Sequence, residues 1–479
     1  MSIPRVRIAP SPTGNLHIGT ARAALFNYLF AKNQGGVFVL RIEDTDLERS
    51  DKKYEQNIFD GLRWLGIDPD EGPEQGGPYA PYRQTERTEH YEKYIRQLLA
   101  EGKAFYCFHS EKELAEEKER MMVEKRAVLH VCEYRDMTHA DAQARAAETP
   151  DFIIRFKTSA GRKIAFTDLI RGNIAFESDL IGDFSVAKHP AVPLYNFAVV
   201  ADDYEMKITH VIRGEDHIAN TPKQMLIAEA LGFPMPEYAH LPLILGPDRS
   251  KLSKRHGATS VDEYRAQGYL PEALFNFMAL LGWNPGGDRE IFSKEELIQL
   301  FSLEKVQKSG AVFDSAKLDW MNGEYIRAKS VAELTDLCMP FFGEGASKKN
   351  RAYLEKVVAL EQLRLKKLSE IGERADYFFK PPEYDKDMLR WKQMSDSDVL
   401  SSLTRAERVL LAIKSGTTED EIEKAFFDEI AKGDRGSVLW PLRVALSGKK
   451  ASPGPFEIMS ILGREESLGR VQRAIQKVQ

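Results

Sequence analysis

The sequence predicts an α/β fold in which a split parallel sheet carries an α+β insertion and is followed by an all-helical C-terminal region. Three observations support this prediction. Strand-like and helix-like segments alternate at the start, the alternation stops near Gly76 and resumes near Pro190, and helical periodicity dominates from Leu270 onward. Alternation of strand, helix and strand implies crossover connections and therefore parallel strands.

The first elements form a βαβ unit. An apolar run ends at Ala9, a loop rich in proline and glycine follows, and the run Val37–Ile42 predicts the second strand. Between them, apolar residues recur at the spacing of one helix face, at Ala21, Ala24, Leu25, Tyr28 and Leu29. This spacing predicts a helix with one apolar stripe against the sheet.

The pattern changes between Gly76 and Pro190. A helix is predicted from Thr85 to Glu101, closed by Gly102, and short strands are predicted near Ile153 and Ile164. We interpret this stretch as an inserted domain.

The βα alternation then returns, with strand-like runs at Phe197–Ala201 and Ile208–Ile212. The helix that follows is predicted to have Thr221 as its N-cap, Pro222 at its first position and Gly232 past its end.

Helical periods extend from Leu270 to the C-terminus, with loop signals at Asn284–Gly287, Lys380–Pro382 and Ser452–Pro455. The domain division predicted from these changes has four parts: a split sheet domain at 1–75 and 190–250, its insertion at 76–189, a loop and helical region at 251–325, and a helical domain at 326–479.

Composition excludes several classes of protein. The 479 residues include 67 Lys and Arg against 73 Asp and Glu, and this net charge of -6 argues against a protein that coats nucleic acid non-specifically. The sequence has three cysteines, Cys107, Cys132 and Cys338. This number is small and odd, which argues against a disulfide framework. With no signal-like start and no run of membrane-spanning length, we expect a cytoplasmic protein with no membrane partner.

The loop from Pro10 to Thr20 joins a strand to a helix and places His17 and Gly19 in the first helical turn. Helix N-terminal amides attract anions, glycine allows close approach of a base or phosphate, and a histidine there can donate to a phosphate oxygen. The alternative is an ordinary loop with a solvent-facing histidine.

The segment Gly246–Gly257 follows an apolar run and contains the basic residues Arg249, Lys251, Lys254 and Arg255. Such a loop can close over a triphosphate, with lysines neutralising the charge on leaving pyrophosphate. The alternative is a solvated charged loop.

Arg7, Glu43 and Arg213 lie at the ends of strand-like runs. In parallel α/β sheets the ligand crevice lies at the carboxyl ends of the strands, so these side chains are expected to converge. Arginine binds carboxylates through a bidentate fork and a glutamate accepts from an ammonium group, which together complement an acidic amino acid. Strand-end salt bridges are the alternative.

Two of these segments, His17-Ile18-Gly19-Thr20 and Lys251-Leu252-Ser253-Lys254-Arg255, resemble the two signatures of class I aminoacyl-tRNA synthetases. The resemblance to bacterial glutamyl-tRNA synthetases covers nearly the whole chain. It extends through Arg7–Gly14, Arg41–Asp46, Pro81–Arg87, Val211–His217, Trp320–Gly323 and Pro441–Leu446.

The resemblance implies a Rossmann-type catalytic domain that activates L-glutamate with ATP, usually with Mg²⁺, and transfers it to the terminal adenosine of tRNA(Glu). It implies that His17 and Gly19 hold ATP with Asp216 and Ile244, while Lys254 contacts the phosphates and Lys251 assists. The glutamate pocket implied in the same way comprises Arg7, Ala9, Ser11, Glu43, Tyr195 and Arg213.

The C-terminal part resembles the all-helical anticodon-binding module of bacterial members. Arg364 falls where the family reads the third anticodon base, and Arg443 lies in a second matching segment. The stretch from Arg351 to Leu368 is locally basic, and an arginine plane suits unpaired bases. The alternative is a solvated helix face.

Cys107, His109 and Cys132 lie where some family members bind zinc. Two of the family's four ligand positions depart here, although His130 is available as a substitute. Zinc takes three or four thiolate or imidazole ligands, so the prediction requires the intervening segment to fold back. The alternative is a pair of small buried cysteines.

Three other functions compete with a discriminating, monomeric glutamate enzyme. A non-discriminating form would also charge tRNA(Gln), which Arg364 disfavours. A small-molecule nucleotidyltransferase would have no use for the helical C-terminal third. A non-catalytic tRNA-binding protein would have no need of Lys251 and Lys254.

Overall fold

The computed structural model describes residues 3–125, 129–149, 151–414, 416–430 and 434–479. The chain divides into two compact units. Unit 1 comprises Met1–Tyr264 and Pro271–Ser315, and unit 2 comprises Arg265–Leu270 and Ala316–Gln479. The four-part domain division stays a prediction.

The strands are short and lie in the first two thirds of the chain. They are β1 Arg5–Ile8, β2 Val37–Leu40, β3 Ala104–Cys107, β4 Ile153–Phe156, β5 Lys163–Asp168, β6 Gly172–Glu177, β7 Phe184–His189, β8 Val192–Pro193, β9 His210–Gly214, β10 Glu237–Leu241, β11 Ile244–Leu245 and β12 Ala311–Val312.

The α-helices continue through both units. Up to residue 300 they are α1 Ile18–Asn33, α2 Lys52–Trp64, α3 Thr88–Ala100, α4 Glu111–Val123, α5 His139–Glu148, α6 Tyr195–Glu205, α7 Thr221–Leu231, α8 Val261–Ala266, α9 Pro271–Leu280 and α10 Lys294–Leu300. Beyond it they are α11 Ser315–Ala328, α12 Val331–Cys338, α13 Arg351–Gln362, α14 Glu370–Arg374, α15 Asp396–Ala412, α16 Glu419–Ile430, α17 Arg435–Ser447, α18 Pro455–Leu462 and α19 Arg464–Val478.

The predicted parallel sheet is present in unit 1. Strand β1 pairs in parallel with β2, and β9 pairs in parallel with β10. The backbone N–H of Thr209 donates to the carbonyl of Arg5 over 2.9 Å, which places the start of β9 beside β1. The α/β prediction is therefore confirmed for the elements on both sides of the insertion.

The predicted insertion contributes to two sheets. Strands β3, β4, β7 and β8 form an antiparallel sheet of their own. The hairpin β5–β6 instead extends the parallel sheet, because β5 pairs with β10 where Asp168 lies opposite Tyr238. This attachment was not evident from the sequence, since local periodicity does not identify strand partners.

Two local predictions were wrong. Phe197–Ala201 was expected to be a strand and lies within helix α6, because a short apolar run fits a buried strand and a buried helix equally well. Thr221 is the first residue of α7 rather than its N-cap, since its hydroxyl is engaged elsewhere, as described below. Gly232 ends that helix as expected, with a left-handed φ of 72°.

Helix α6 carries two consecutive buried aspartates. Asp202 is fully buried and accepts hydrogen bonds from Arg87 Nε at 2.7 Å, Gln84 Nε2 at 2.8 Å and the Tyr91 hydroxyl at 3.0 Å. A buried carboxylate is tolerated only when its oxygens are paired in this way. Asp202 therefore fixes α6 against the segment that leads into α3.

Asp203 forms the second half of this arrangement. Arg7 binds it through two nitrogens at 3.1 and 3.2 Å, and Arg41 donates to it over 2.7 Å and to Glu43 over 3.0 Å. Burial alone would raise the pKa of Asp203, but Arg7 and Arg41 outweigh it and lower the pKa. Burial raises the pKa of Glu43, and Arg41 offsets this only in part.

The regular elements described in unit 2 are helices and one-turn helical segments, as predicted. Helix α15 packs against α17 and α19, and α12 packs against α13. Pro441 lies inside α17. Within the described ranges, no helix is both long and apolar enough to cross a membrane.

We expect Asp202→Ala to lower the free energy of unfolding of the chain by about 3–5 kcal/mol, because Arg87 is then left buried without its carboxylate. Urea unfolding followed by tryptophan fluorescence measures this change. The control is Asp60→Ala, which removes a largely exposed pair with Arg63 and should alter stability by less than about 0.5 kcal/mol. Equal effects of the two substitutions would contradict the role of Asp202.

Candidate active site

A cavity of about 360 Å³ opens at the carboxyl ends of β1 and β9 in unit 1. It is lined by most of the residues for which the sequence predicted a ligand: Arg7, Ala9, Ser11, His17, Gly19, Glu43, Tyr195, Arg213, Asp216, Ile244 and Lys251. Lys254 does not line it. Apart from Lys254, the residues expected to hold the nucleotide and those expected to hold the amino acid thus line one cavity.

His17 is the N-cap of helix α1. Its Nδ1 accepts a hydrogen bond from the Gly19 amide over 3.0 Å. Burial and the charge of Lys251 lower the pKa of His17, which favours the neutral ring. With Nδ1 accepting, the proton of that ring is on Nε2, where it can be donated to a ligand.

Gly19 is packed closely against this histidine. A Cβ at position 19 would lie 3.3 Å from His17 Nδ1, which is tighter than an ordinary contact. The glycine therefore permits the N-cap geometry, and it leaves the first turn of α1 open to a ligand.

Backbone hydrogen bonds tie the first signature segment to the chain just after the second. The amide of Ile18 donates to Thr259 over 2.8 Å, and the amide of Val261 donates to Leu16 over 3.0 Å. The chain that follows the lysine-rich segment is therefore held beside the start of α1.

The lysines of that segment differ in position. Lys251 lines the cavity, and its Nζ lies 3.4 Å from a carboxylate oxygen of Asp216. Lys254 begins a short helical turn and is exposed. Arg255 pairs with Asp248 over 3.1 Å, so the basic charge is partly neutralised within the segment.

Arg7 and Arg213, which both line the cavity, have different hydrogen-bond partners. Arg7 is bound bidentately by Asp203, which is a salt bridge of the kind left open as an alternative. Arg213 donates through Nε to His240 at 3.2 Å and through Nη2 to the Thr221 hydroxyl at 2.9 Å. Its Nη1 is buried with no partner among the described residues, and burial lowers the pKa of Arg213.

Tyr195 is the first residue of α6 and lines the cavity. Its hydroxyl lies 2.9 Å from Nδ1 of His217. Burial raises the pKa of Tyr195 to about 12, and burial together with Arg213 lowers the pKa of His217 to about 4. Both groups are therefore neutral hydrogen-bonding partners near pH 7.

Several residues of the site were missed from the sequence, namely Arg41, Asp168, Asp203, His217 and His240. Only the consecutive acids 202 and 203, within an otherwise largely apolar run, offered a signal. The others become visible only through their partners in space.

The four residues proposed around zinc converge within unit 1. Sγ of Cys107 lies 3.5 Å from Nδ1 of His109 and 3.6 Å from Nε2 of His130, and Sγ of Cys132 lies 3.7 Å from Nδ1 of His109. All four donor atoms lie within 4.8 Å of one another. A tetrahedral zinc with its usual bond lengths would space sulfur and nitrogen by about 3.5 Å, so the set fits the ion.

A carboxylate lies behind this cluster. Nδ1 of His130 is hydrogen-bonded to Glu117, which leaves Nε2 for the cluster. Metal-binding histidines commonly contact a carboxylate through their other nitrogen. The third cysteine, Cys338, is not part of this cluster. It is buried on α12 in unit 2, where burial raises its pKa to about 12.

In unit 2, Arg364 follows the end of helix α13 and lines a cavity of about 330 Å³. Its Nε lies 3.9 Å from Oε2 of the buried Glu361. That oxygen has no hydrogen-bond partner among the described residues. Arg443 is on α17 and does not line this cavity. Arg351 is paired with Asp336 and Glu355. Part of the positive charge between Arg351 and Leu368 is therefore already neutralised within the protein.

Two family profiles match this chain. The family described as "tRNA synthetases class I (E and Q), catalytic domain" matches residues 4–320, and "Anticodon binding domain" matches residues 333–475.

Similar proteins cover the chain from end to end. A glutamate–tRNA ligase of Carboxydothermus hydrogenoformans is 47% identical over 98% of this chain and 98% of its own length. A glutamate–tRNA ligase of Desulforamulus reducens is 46% identical over 99% and 100%. The crystal structure of a glutamate tRNA ligase from Elizabethkingia meningosepticum, in complex with its amino acid, superposes with a TM-score of 0.90 at 35% identity, covering 99% of this chain and 100% of the other.

Proposed function

The chain belongs to the class I tRNA synthetases for glutamate and glutamine, and we propose that the cavity of unit 1 is where it acts as a glutamate–tRNA ligase. The reaction is ATP-dependent activation of L-glutamate with release of pyrophosphate, followed by transfer of glutamate to the terminal adenosine of tRNA(Glu). One observation carries the proposal: the helix terminus at His17 and Arg213, whose Nη1 is buried without a partner among the described residues, line the same cavity.

ATP would bind at the His17 end. The Nε2–H of His17 and the first amides of α1 face phosphate oxygens, and Gly19 leaves room for the nucleotide. Asp216 and Ile244 line the same end. Lys251 is the cation placed to neutralise the leaving pyrophosphate, and the contact of Lys254 with the phosphates stays a prediction from the resemblance.

Mg²⁺ fits this end of the cavity because Asp216 supplies a carboxylate, and magnesium is usually held by one or two carboxylates together with substrate phosphates. When bound, it would neutralise phosphate charge. The remaining contributions come from the chain itself, which aligns the α-carboxylate of glutamate with the α-phosphate and draws charge away from the leaving group.

Glutamate would bind at the Arg213 end. Arg213 Nη1 and the Arg7 nitrogen not used by Asp203 would bind the side-chain carboxylate, and the second oxygen of Glu43 would accept from the ammonium group. Ala9, Ser11 and Tyr195 complete the lining of this end. Glutamine would leave these buried arginines facing a neutral amide, which would weaken its binding. The pocket would therefore favour a negatively charged side chain.

tRNA selection would involve unit 2. We assign Arg364 to the third anticodon base, with Arg443 in a second contact, and we favour a discriminating enzyme over one that also charges tRNA(Gln). The anticodon-domain match gives the C-terminal third a use, which disfavours a small-molecule nucleotidyltransferase. The cytoplasmic location and the monomeric state stay predictions.

We also assign a structural zinc ion to Cys107, His109, His130 and Cys132. Bound there, it would crosslink β3 to the segment containing His130 and Cys132. Glu117 would hold the His130 ring in the orientation that presents Nε2.

ATP–pyrophosphate exchange, run with each amino acid and with or without tRNA, tests the function, and glutamate should be the substrate used.

Lys251→Ala should lower the exchange rate by roughly 100-fold, because charge on the leaving group loses its partner. Lys254→Ala should also lower it while leaving tRNA affinity nearly intact. The control is Lys308→Ala, an exposed lysine outside the cavity. An unchanged rate in either variant would remove that lysine from the mechanism.

Arg364→Ala should weaken the preference for tRNA(Glu) over tRNA(Gln) by roughly 10-fold or more, the value of one good base contact, with little effect on glutamate activation. Charging of both purified tRNAs measures the preference. A matched control is Arg374→Ala in the same cavity, whose guanidinium is already paired with Glu370. Equal loss of activation and of preference in the Arg364 variant would refute the assignment.

Purified protein should contain about one zinc per chain by elemental analysis, in keeping with a four-ligand structural site. Cys107→Ser should abolish the bound zinc, whereas Cys338→Ser should retain it because Cys338 lies outside the cluster. Absence of metal from protein prepared with zinc present would contradict the site.

A further inference from the structure

A fully buried chain of side chains lies behind Arg213. Nδ1 of His240 lies 2.6 Å from Oδ2 of Asp168, and on the other side of the ring Nε2 lies 3.2 Å from Nε of Arg213. His240 is 0% exposed and Asp168 is 2% exposed. Neither residue lines the cavity, so neither can touch the substrate directly.

The position of the proton on the His240 ring follows from its two neighbours, Arg213 and Asp168. A guanidinium only donates, so Nε2 of His240 must present a lone pair to Arg213. The ring proton is then on Nδ1 and is donated to Asp168. Burial lowers the pKa of His240, and although Asp168 opposes this shift, the positive charge of Arg213 adds to it, which agrees with a neutral ring.

Asp168 is itself held rigidly. Its Oδ1 accepts from the amides of Ile170 and Arg171 at 2.9 and 2.8 Å, and its Oδ2 accepts from the His240 amide at 3.1 Å. Burial would raise the pKa of Asp168, but the hydrogen bonds from His240 and these amides lower it. The carboxylate thus stays charged and fixes the orientation of the ring.

The result is an arginine held at two of its three nitrogens. His240 binds Nε, the Thr221 hydroxyl binds Nη2, and Nη1 is left buried and unpartnered on a residue that lines the cavity. This use of Thr221 also explains why its hydroxyl is not available to cap α7. A free arginine side chain has about 2 kcal/mol of rotamer freedom, and anchoring it beforehand reduces what a ligand must order.

We propose that His240 and Asp168 are positioning residues that aim Nη1 of Arg213 at the side-chain carboxylate of the amino-acid substrate. The inference rests on the proposed role of Arg213 in binding glutamate. Asp168 ends β5, and β5 belongs to the hairpin that extends the sheet beyond β10. The same contacts therefore make the predicted insertion a structural part of the amino-acid pocket.

Substitutions of His240 separate its two hydrogen bonds. His240→Asn places an amide near the position of Nδ1, so it keeps the donor to Asp168 and loses the acceptor for Arg213. His240→Gln reaches the position of Nε2 and keeps that acceptor. The control is His210→Gln on the neighbouring strand β9, since His210 neither lines the cavity nor contacts Arg213.

The readout is ATP–pyrophosphate exchange by the full chain in the presence of tRNA. His240→Asn should raise KM for glutamate roughly 10-fold or more, the value of a hydrogen bond to a charged group, while KM for ATP and kcat stay close to the parent values. His240→Gln should raise KM for glutamate much less than His240→Asn does. In His210→Gln, KM for glutamate should stay within about twofold of the parent value. Proportional loss in all constants, or no rescue by Gln, would overturn the positioning role.

Arg213→Ala distinguishes the inference from the function beneath it. If this variant raises KM for glutamate and His240→Asn does not, the positioning role is refuted and the assignment of Arg213 stands. If Arg213→Ala leaves KM for glutamate unchanged, the assignment of Arg213 is wrong and the inference falls with it.

A measurement on the unsubstituted protein reports the position of the ring proton directly. Nitrogen-15 NMR of the histidine rings should show that His240, assigned by comparison with His240→Gln, is a neutral ring that carries its proton on Nδ1. A proton on Nε2 would overturn the proposal, because Nε2 would then have no lone pair for Arg213.

Discussion

Two aspartates buried on α6, each paired with arginines, hold together the elements beneath the cavity of unit 1. Asp202 and Asp203 on α6 bind Arg87, Arg7 and Arg41, and these contacts link α6 to β1, to the end of β2 and to the start of the insertion. Removing one partner would leave a charge in the interior, which is far more destabilising than losing an apolar contact. The floor of the cavity is therefore rigid before any ligand binds, and that rigidity lets side chains from distant segments meet with fixed geometry.

Arg7 and Arg213 line the same cavity but have different surroundings, and this difference would allow the proposed pocket to be both stable and selective. Arg7 already has a carboxylate in Asp203, so its charge is neutralised in the free protein. Arg213 has neutral partners in His240 and Thr221, so its charge lacks a counter-ion in direct contact and its pKa is lowered by burial. In the proposed function, a substrate carboxylate would supply the missing charge. An amide would not, and it would lose that stabilisation.

The net charge of -6 also has a different meaning once the pairs are known. Much of the basic charge that the sequence offered to tRNA is already used: Arg351 is bound by Asp336 and Glu355, and Arg255 by Asp248. Arg364 lies beside Oε2 of Glu361, an oxygen with no hydrogen-bond partner among the described residues, and it retains hydrogen-bonding capacity. Contacts with nucleic acid would then depend on a few placed side chains more than on a broad positive field.

The fold class, the two signature segments and many residue types around the cavity could be predicted from the sequence alone, because helical periodicity, glycine and proline positions, and short motifs are local properties of the chain. His17, Gly19 and Arg213 could be named from the sequence for that reason. It misread Phe197–Ala201 as a strand and Thr221 as a cap, and it did not identify Asp168 or His240. Their roles arise from contacts between segments far apart in the chain. Only the tertiary structure decides which strand pairs with β10, and thereby which carboxylate reaches the histidine behind Arg213.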